Sequence, residues 1–329
     1  MRESFSIDAK ETWLLDGAMG TNLFLRGLIS GDAPELWNLE RPDDIRAIHQ
    51  NWIEAGSDII LTNSFGGSAF RLKLHHADDK VFSINKAAAQ IAREIADAQT
   101  RPVYVAGSVG PTGELMAPLG SLEFEQAVTA FSEQMEGLVQ GGADIIWIET
   151  LSDKTELEAA LKAASLFDLP IACTLSFDTN GKTMMGIEPA ALPQLVLEAP
   201  RPPLALGANC GTGPAELTAT LVRMAPLLQK EQFLIAKANC GIPAFVDGEI
   251  RYSGTPELMA DYALIARNAG AKMIGGCCGT KPEHIRAMRN ALETQPRDEP
   301  PSLELIRERL GDISESCKPK PARRTRRRG

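Results

Sequence analysis

The chain alternates between two kinds of segment, a short apolar run and a longer amphipathic stretch. Each apolar run is rich in Ile, Leu, Val and Ala and ends in a cluster of Gly, Asn, Ser, Thr or Cys. Continuous apolar runs are typical of strands buried on both faces, as in a parallel sheet. The pattern predicts eight such strands, within residues 13–20, 58–67, 103–113, 144–152, 170–178, 204–213, 233–241 and 273–280.

The segments between the runs have helical periodicity. In 42–56, for example, Ile45, Ile48, Trp52 and Ile53 recur at the spacing of one helix face. Several segments begin with Thr or Pro near an acidic residue and end at Gly, which favours helix boundaries there. We predict helices at 42–56, 81–98, 124–142, 154–167, 213–228, 255–270 and 281–293, and a shorter helix interrupted by proline at 188–199.

Eight alternating strand and helix units predict an α/β fold, a (β/α)8 or TIM barrel, built as a single domain from residues 1–295. Residues 296–329 are left as a C-terminal extension. A doubly wound parallel sheet is the alternative, but its first strand is usually followed by the phosphate-binding pattern G-x-G-x-x-G. The corresponding segment here, "DGAMGTN" at 16–22, does not fit that pattern.

Charge is distributed unevenly along the 329 residues. The net charge is −9, yet the segment 317–329 contains seven basic residues and no acidic one. Without it, 27 basic residues face 43 acidic ones, so the body carries about −16. An acidic body makes nucleic acid an improbable main partner. We expect the basic tail to be disordered, either as a solvated terminus or as a weak binder of RNA or another acidic surface.

Neither a membrane span nor a secretory signal is indicated. The sequence has no apolar run of about 18 residues, and its first twelve residues are polar. We therefore expect a cytoplasmic protein, in which six cysteines are thiols or metal ligands rather than disulfides.

In a (β/α)8 barrel, function collects where the strands meet the loops that follow them. Among the residues that close the predicted strands are several with reactive or polar side chains: Asp16, Asn63, Ser108, Glu149, Asp178, Cys210, Asn239, Cys240, Cys277 and Cys278.

Three of these cysteines predict a metal site. Cys210 closes the sixth strand, and Cys277 and Cys278 close the eighth, two positions away on the same face. Strand ends two apart are separated by ~10 Å, so inward-facing side chains can share one ion. Thiolate ligands favour zinc, and three of them leave one coordination position open, as in catalytic sites. The alternatives are chance placement or a redox pair, while Cys173 is interpreted as a small buried hydrophobe.

A zinc ion held by three thiolates is a poor generator of hydroxide but a good partner for a substrate thiol. Binding would lower the pKa of that thiol and yield a thiolate near neutral pH. Such a nucleophile suits attack on a methyl group carried by positively charged nitrogen, sulfur or cobalt.

Four motifs resemble the homocysteine S-methyltransferase family: "LLDGAMGTNL" (14–23), "DIILTNSFGG" (58–67), "GANCGTG" (207–213) and "IGGCCGT" (274–280). The resemblance covers about residues 13–294 and implies a zinc-containing (β/α)8 barrel. Flanking segments are most similar to a bacterial betaine–homocysteine methyltransferase subgroup: "SGDAPELWN" (30–38), "RLKLH" (71–75), "SFDTNGKTMMG" (176–186) and "DGEIRYSGTPELM" (247–259).

The resemblance implies roles for individual residues. Cys210, Cys277 and Cys278 would hold zinc and thereby activate the substrate thiol. Asp16 and Glu149 would bind the amino group of homocysteine, and backbone N–H groups from Gly17 to Thr21 its carboxylate. Structural alternatives are a loop-capping role for Asp16 and an ion-pair role for Glu149.

Two positions depart from the pattern of the animal betaine enzymes. Gly66 stands where those enzymes carry a tyrosine, so Trp37 is the candidate that would offer a cation–π face to the donor, with loop packing as its alternative role. Cys240 follows the seventh strand, where many relatives carry a small apolar residue; we interpret it as a non-ligand that could nevertheless lie near the zinc.

The function implied is zinc-dependent methyl transfer from betaine to homocysteine, giving methionine and dimethylglycine. S-methylmethionine, dimethylsulfoniopropionate or a separate methyl-corrinoid protein are alternative donors; the chain itself has no B12-binding D-x-H-x-x-G motif. A barrel with a purely structural zinc is the alternative from another class. A homo-oligomer is possible in either case.

Overall fold

The computed structural model describes residues 4–246 and 249–314, and it confirms the predicted barrel. Each of the eight predicted runs contains or overlaps one strand of a single parallel sheet; the last of these strands begins two residues before its predicted run. These strands are β1 (Trp13–Leu14), β2 (Ile59–Leu61), β3 (Tyr104–Val109), β4 (Ile145–Leu151), β5 (Ile171–Leu175), β6 (Ala205–Cys210), β7 (Phe233–Ala238) and β10 (Ala271–Gly276). A separate antiparallel hairpin, β8 (Pro243–Val246) and β9 (Glu249–Tyr252), lies between β7 and β10.

The sheet closes on itself. Its strand order is β1, β10, β7, β6, β5, β4, β3, β2, and a parallel bridge from Leu15 to Ile59 joins the two ends. All eight carboxyl ends therefore surround one mouth, which is the face on which the sequence predicts the functional residues.

All seven longer predicted helices are present, and the eighth is broken as expected, with α8 between two short 3-10 turns. Within the described ranges, four further helices, α1, α2, α4 and α12, were not predicted; three of them lie within loops and have six residues or fewer. The helices are α1 (Met19–Phe24), α2 (Trp37–Glu40), α3 (Pro42–Glu54), α4 (Ala69–Lys73), α5 (Val81–Asp97), α6 (Phe124–Gln140), α7 (Lys154–Ala164), α8 (Leu192–Leu195), α9 (Pro214–Met224), α10 (Pro256–Asn268), α11 (Pro282–Thr294) and α12 (Leu303–Leu310).

Alternation along the strands creates two apolar layers. Leu15, Ile59 and Leu61 point into the barrel, where they join a compact inner cluster. Leu14 and Ile60, the residues between them in the pleat, point outward into the larger cluster under the helices. This is the period-two pattern of strands covered on both faces.

The amino end of the barrel is closed by apolar and charged contacts. The rings of Phe5, Trp13 and Tyr104 pack against one another with centroids 5.1–5.6 Å apart. Beside them, the buried carboxylate of Asp58 contacts Lys10 and Arg289 at 2.5 and 2.6 Å.

The segment after α11 packs onto the barrel as far as it is described. Ile306 and Leu310 of α12 are buried, and Arg309 forms an ion pair with Asp261 of α10 at 2.5 Å. The backbone N–H of Ser314 donates to Glu216 of α9 at 3.0 Å. The basic segment 317–329, including Cys317, lies outside the described residues. No helix in the described part of the chain has the length and apolarity to span a bilayer.

Candidate active site

The three predicted cysteine ligands converge at the mouth of the barrel. The sulfur of Cys210 lies 3.4 Å from that of Cys277 and 3.7 Å from that of Cys278. All three sulfurs lie within 4.8 Å of one another, and within the described residues they form the one group of three or more potential ligands of this kind. The fold thus brings together side chains that are 67 and 68 residues apart in sequence.

Backbone geometry turns both adjacent cysteines toward one point. The N–H of Cys277 donates to the carbonyl of Ala238 on β7, and the carbonyl of Cys278 accepts from Cys240 N–H at 2.9 Å. The chain then reverses through Gly279, whose φ of +77° favours glycine. Added at Gly276, a side-chain carbon would lie 2.2 Å from the Thr280 hydroxyl oxygen, so this position also requires glycine.

The thiols cannot all ionise in the absence of a cation, because three adjacent negative charges repel one another. Hydrogen bonds from Cys210 and Cys277 lower the pKa of Cys278 to about 3. Bonding to the other two sulfurs raises the pKa of Cys210 well above its usual value. A cation placed among the sulfurs would remove this conflict.

Tyr252, at the end of β9, supports the cysteine pair from the hairpin. Its hydroxyl donates a hydrogen bond to the sulfur of Cys278, which contributes to the lowered pKa of that thiol. Its ring lies so close to Gly279 that a side-chain carbon there would be 2.2 Å from it. The hairpin thus braces the loop that carries Cys277 and Cys278.

Two buried carboxylates and a buried lysine lie beside the thiols. Asp16 accepts a hydrogen bond from Leu61 N–H at 2.7 Å, and its other oxygen is 3.3 Å from the Lys237 ammonium. Lys237 also donates to the carbonyl of Gly17 at 3.3 Å. Glu149 accepts a hydrogen bond from the Ser108 hydroxyl at 2.6 Å. Asp16, Lys237 and Glu149 are all at most 7% exposed.

Burial changes the acid–base behaviour of these groups. It raises the pKa of Glu149 to about 7, although Lys237 acts in the opposite direction. It also raises the pKa of Asp16, again against the attraction of Lys237. Burial opposes the charge on Lys237, but the attraction of Asp16, Cys277 and Glu149 outweighs it and raises the lysine pKa. The charges of Asp16, Glu149 and Lys237 therefore influence one another strongly, because little water is present to screen them.

A cavity of about 240 Å³ joins these features. Its walls include the three cysteines, both carboxylates and Lys237, together with Gly17 and Thr21 from the start of α1. A further part of the lining comes from the turn before α2 and the loop after β2, and it includes Glu35, Ser64 and Phe65. Seven of the eight residues predicted for the site therefore line one cavity.

Trp37 is the predicted site residue that lies elsewhere. It is 7% exposed, packs in the outer apolar layer, and is not among the residues that line the cavity. The Arg41 guanidinium stacks 3.8 Å from the centre of its ring. One face of this indole is therefore occupied by a cation of the chain itself, which supports the loop-packing alternative.

The other two cysteines of the described ranges, Cys173 and Cys240, have apolar or histidine neighbours. The sulfur of Cys240 lies 3.5 Å from a ring nitrogen of His284, and Cys240 is outside the group of three converging sulfurs. Cys173 is fully buried in β5, where burial raises its pKa to about 12. Both placements agree with the non-ligand interpretation.

Sequence reasoning missed Lys237, Tyr252 and Glu35. A signal for Lys237 was available, because it is the one charged residue within the apolar run "FLIAKANCG" (233–241). Tyr252 and Glu35 come from a hairpin and a turn whose approach to the mouth depends on tertiary structure. No local pattern distinguishes them from solvent-exposed loop residues.

A (β/α)8 barrel with three thiols converging beside a carboxylate-lined cavity could hold a metal ion next to a small-molecule ligand. Comparison with known protein families identifies the group of (β/α)8 barrels to which this chain belongs. The profile of the homocysteine S-methyltransferase family matches residues 13–292, and the chain belongs to that family.

Relatives of known structure agree with this assignment. The metallated form of the homocysteine methyltransferase MmuM from Escherichia coli is 26% identical, with a TM-score of 0.72, over 86% of this chain and 97% of that one. Its oxidised form is 27% identical, with a TM-score of 0.71 and the same coverage.

Two curated relatives are much longer proteins. The methionine synthase of Mycobacterium leprae is 31% identical over 88% of this chain and 26% of its own length. That of Mycobacterium tuberculosis is 32% identical over 86% of this chain and 25% of its own length. The chain thus spans about a quarter of the length of these relatives.

Proposed function

We propose that the protein is an enzyme that transfers a methyl group to the thiol of homocysteine, giving methionine. The observation that carries the proposal is the convergence of Cys210, Cys277 and Cys278 beside a cavity that also contains Glu149. Membership of the homocysteine S-methyltransferase family and the similarity to the E. coli homocysteine methyltransferase support it.

The sulfur geometry fits zinc as the metal of this site. Tetrahedral ligation with Zn–S bonds of ~2.3 Å separates the sulfurs by ~3.8 Å, and the sulfur of Cys210 lies 3.4 and 3.7 Å from those of Cys277 and Cys278. Zinc supplies Lewis acidity that stabilises a substrate thiolate near neutral pH. Tyr252 would hold Cys278 in place, since its hydroxyl already donates to that sulfur.

The chain's other groups would bind and orient the amino acid. Glu149 has one oxygen engaged by Ser108, which leaves the other available to the homocysteine ammonium. Asp16 adds negative charge at the same wall and is held in place by Leu61 N–H and Lys237. Backbone N–H groups between Gly17 and Thr21, which line the cavity, would receive the carboxylate.

Betaine is the proposed donor. A bond forms between the sulfur and a methyl carbon while the C–N bond breaks, and its electron pair stays on nitrogen, so dimethylglycine leaves as the amine. The alternative donors of the methyl group are S-methylmethionine, dimethylsulfoniopropionate and a separate methyl-corrinoid protein. The contact of Trp37 with the donor, suggested by sequence, gains no support from its position away from the cavity.

A structural metal site is the competing proposal from another class. Such sites usually have four protein ligands, whereas the group of sulfurs found in the described residues has three. Cys240, the nearest candidate by sequence, has its sulfur against His284. The three-ligand arrangement favours catalysis.

A direct assay tests the proposal. Purified, zinc-loaded protein is incubated with homocysteine and, in parallel, betaine, S-methylmethionine, dimethylsulfoniopropionate or a methylated corrinoid protein. Methionine should form, with dimethylglycine as the second product when betaine is supplied. Failure of every donor, in protein shown to contain zinc, would reject the enzymatic proposal.

A further inference from the structure

The cavity lining contains an acid, Glu35, to which the proposed binding of homocysteine assigns no role. Glu35 is 5% exposed, follows Pro34 in a 3-10 turn, and lines the cavity with Ser64 and Phe65. Acidic side chains are rarely buried to this extent without a charged partner, so its position calls for an explanation.

The hydrogen bonds of Glu35 come from the backbone. One carboxylate oxygen accepts from Gly66 N–H at 2.6 Å, and its own backbone N–H also contributes. Within the described residues, no Lys or Arg lies within 4.0 Å of this carboxylate. Arg71 and His75 are close enough to lower its pKa, but burial prevails and raises it.

Gly66 and Phe65 shape the space around this carboxylate. A side-chain carbon at Gly66 would lie only 3.0 Å from the nearer oxygen of Glu35, so the carboxylate fills the volume that a side chain there would take. The ring of Phe65 packs against Gly110, where an added carbon would lie 2.6 Å from the ring. An acid and an aromatic residue therefore both line the part of the cavity formed by this turn and loop.

The charges in the cavity do not balance. Its described lining includes three acids, Asp16, Glu35 and Glu149, and one basic residue, Lys237. Lys237 is paired with Asp16, and the homocysteine ammonium is assigned to Glu149. Glu35 is therefore left without a counter-charge from the described cavity lining, and a second ligand that brings a positive charge would provide one.

We infer that Glu35 and Phe65 form the subsite for the positively charged head of the methyl donor, a quaternary ammonium or tertiary sulfonium ion. This inference rests on the proposed function and narrows its donor class. An onium head has no N–H to donate, so it is recognised by charge and by contact with an aromatic face. A buried carboxylate attracts it strongly because water screens little there. A neutral or anionic donor would gain nothing from Glu35.

The substitution Glu35→Gln tests the inference, because it removes the charge and keeps both the size and the acceptor for Gly66 N–H. With homocysteine saturating, the KM for betaine or a sulfonium donor should rise about tenfold or more, the scale for losing a partner of a buried charge pair. The KM for homocysteine should not change. Calorimetric titration with tetramethylammonium chloride, a probe that needs no turnover, should show the same loss of affinity.

Glu156→Gln is the matched control. Glu156 is also buried and accepts a backbone hydrogen bond, from Thr112 N–H at 2.8 Å, but it does not line the cavity. This variant should keep the wild-type donor KM and tetramethylammonium affinity. An unchanged donor KM in folded Glu35→Gln would overturn the inference and assign Glu35 to loop packing.

A second variant keeps the test decisive if Glu35→Gln does not fold. Phe65→Leu removes the aromatic face at a residue that is 36% exposed, and it should weaken tetramethylammonium binding without changing the KM for homocysteine. Unaltered binding would count against the subsite. If tetramethylammonium binding depends on Glu35 but no onium donor is turned over, the subsite stands and the proposed function fails.

Discussion

Buried carboxylates occur at both ends of this barrel, but they are neutralised very differently. At the amino end, Asp58 accepts a hydrogen bond from Leu14 N–H at 3.0 Å and contacts three cations. Lys10 and Arg289 lie at 2.5 and 2.6 Å from it, and Arg101 lies at 3.5 Å. One negative charge is surrounded by three positive ones.

At the carboxyl end the ratio is reversed. Three acids share the cavity with Lys237 alone among its described lining residues. Glu149 is bonded to a neutral hydroxyl and has a pKa of about 7, far above its usual 4.5, because burial opposes its charge. Such a group destabilises the folded protein when it is ionised.

The difference separates a structural acid from one available to a ligand. Asp58 has all the counter-charge it needs within the fold, so it can stabilise the junction of β1, β2 and α11. The three acids of the cavity share one lysine, so a cationic ligand would add counter-charge that the cavity lining does not supply. Under-neutralised buried groups of this kind are typical of functional sites.

The largest expected effect comes from the thiol cluster. Cys278→Ala should abolish stoichiometric zinc binding and lower methyl transfer by about three orders of magnitude or more, since the proposed zinc would stabilise the substrate thiolate. Zinc content by atomic emission and activity are measured together. Cys173→Ala, at the buried cysteine of β5, is the control and should retain both. Full zinc content in the Cys278 variant would exclude this cluster as the metal site.

A smaller, two-sided effect is expected for Glu149→Gln. Homocysteine binding should weaken by ~1.5–3 kcal/mol, the value of a charge-assisted hydrogen bond. The free energy of unfolding at pH 8 should nevertheless rise by ~1–3 kcal/mol, because the variant removes a charge that the folded state disfavours. Kinetics and urea unfolding measure the two effects.

The pH dependence of that stability gain has a definite sign. The folded-state pKa of Glu149 is raised to about 7, so folding is penalised when the pH rises from 4.5 through 7. The advantage of the Gln variant should therefore be full above pH 7 and vanish toward pH 4.5. A variant that binds homocysteine normally, or that is less stable at pH 8, would contradict this account of Glu149.

Asp58→Asn, at the amino end of the barrel, should have the opposite effect: it should lower stability and leave substrate binding unchanged. Three cations would lose their common partner, but they are between about one-fifth and two-fifths exposed, so water screens part of the loss. We expect the free energy of unfolding to fall by ~1–3 kcal/mol. The KM values for homocysteine and donor should not change. Loss of substrate binding with normal stability would show that the two ends are not separate in function.

Much of the architecture could be predicted from periodicity alone. The eight buried runs form eight strands, and the seven amphipathic segments form seven helices. The two kinds of element can be told apart in the sequence because a strand buried on both faces and a helix buried on one face have distinct apolar patterns. The elements missed, such as α2 and the β8–β9 hairpin, are short and lie in loops, where packing rather than local propensity decides the structure.

The sequence by itself determined which residues could form a metal site. Cys210, Cys277 and Cys278 end their strands, and barrel closure necessarily places strand ends on one face. What it could not determine was the direction of each neighbouring side chain. Cys240 follows a strand that also ends at that face, yet its sulfur lies against His284. Trp37 stacks on Arg41 rather than facing the cavity.

Only the tertiary structure decided how charge is balanced around the site. Lys237 reaches Asp16 across 221 positions of sequence, and Glu35 meets the loop at Gly66 by the packing of a turn. Electrostatic pairing depends on distances of a few ångströms and on the exclusion of water. Those quantities exist only once the strands have closed into a barrel and the loops have packed over its mouth.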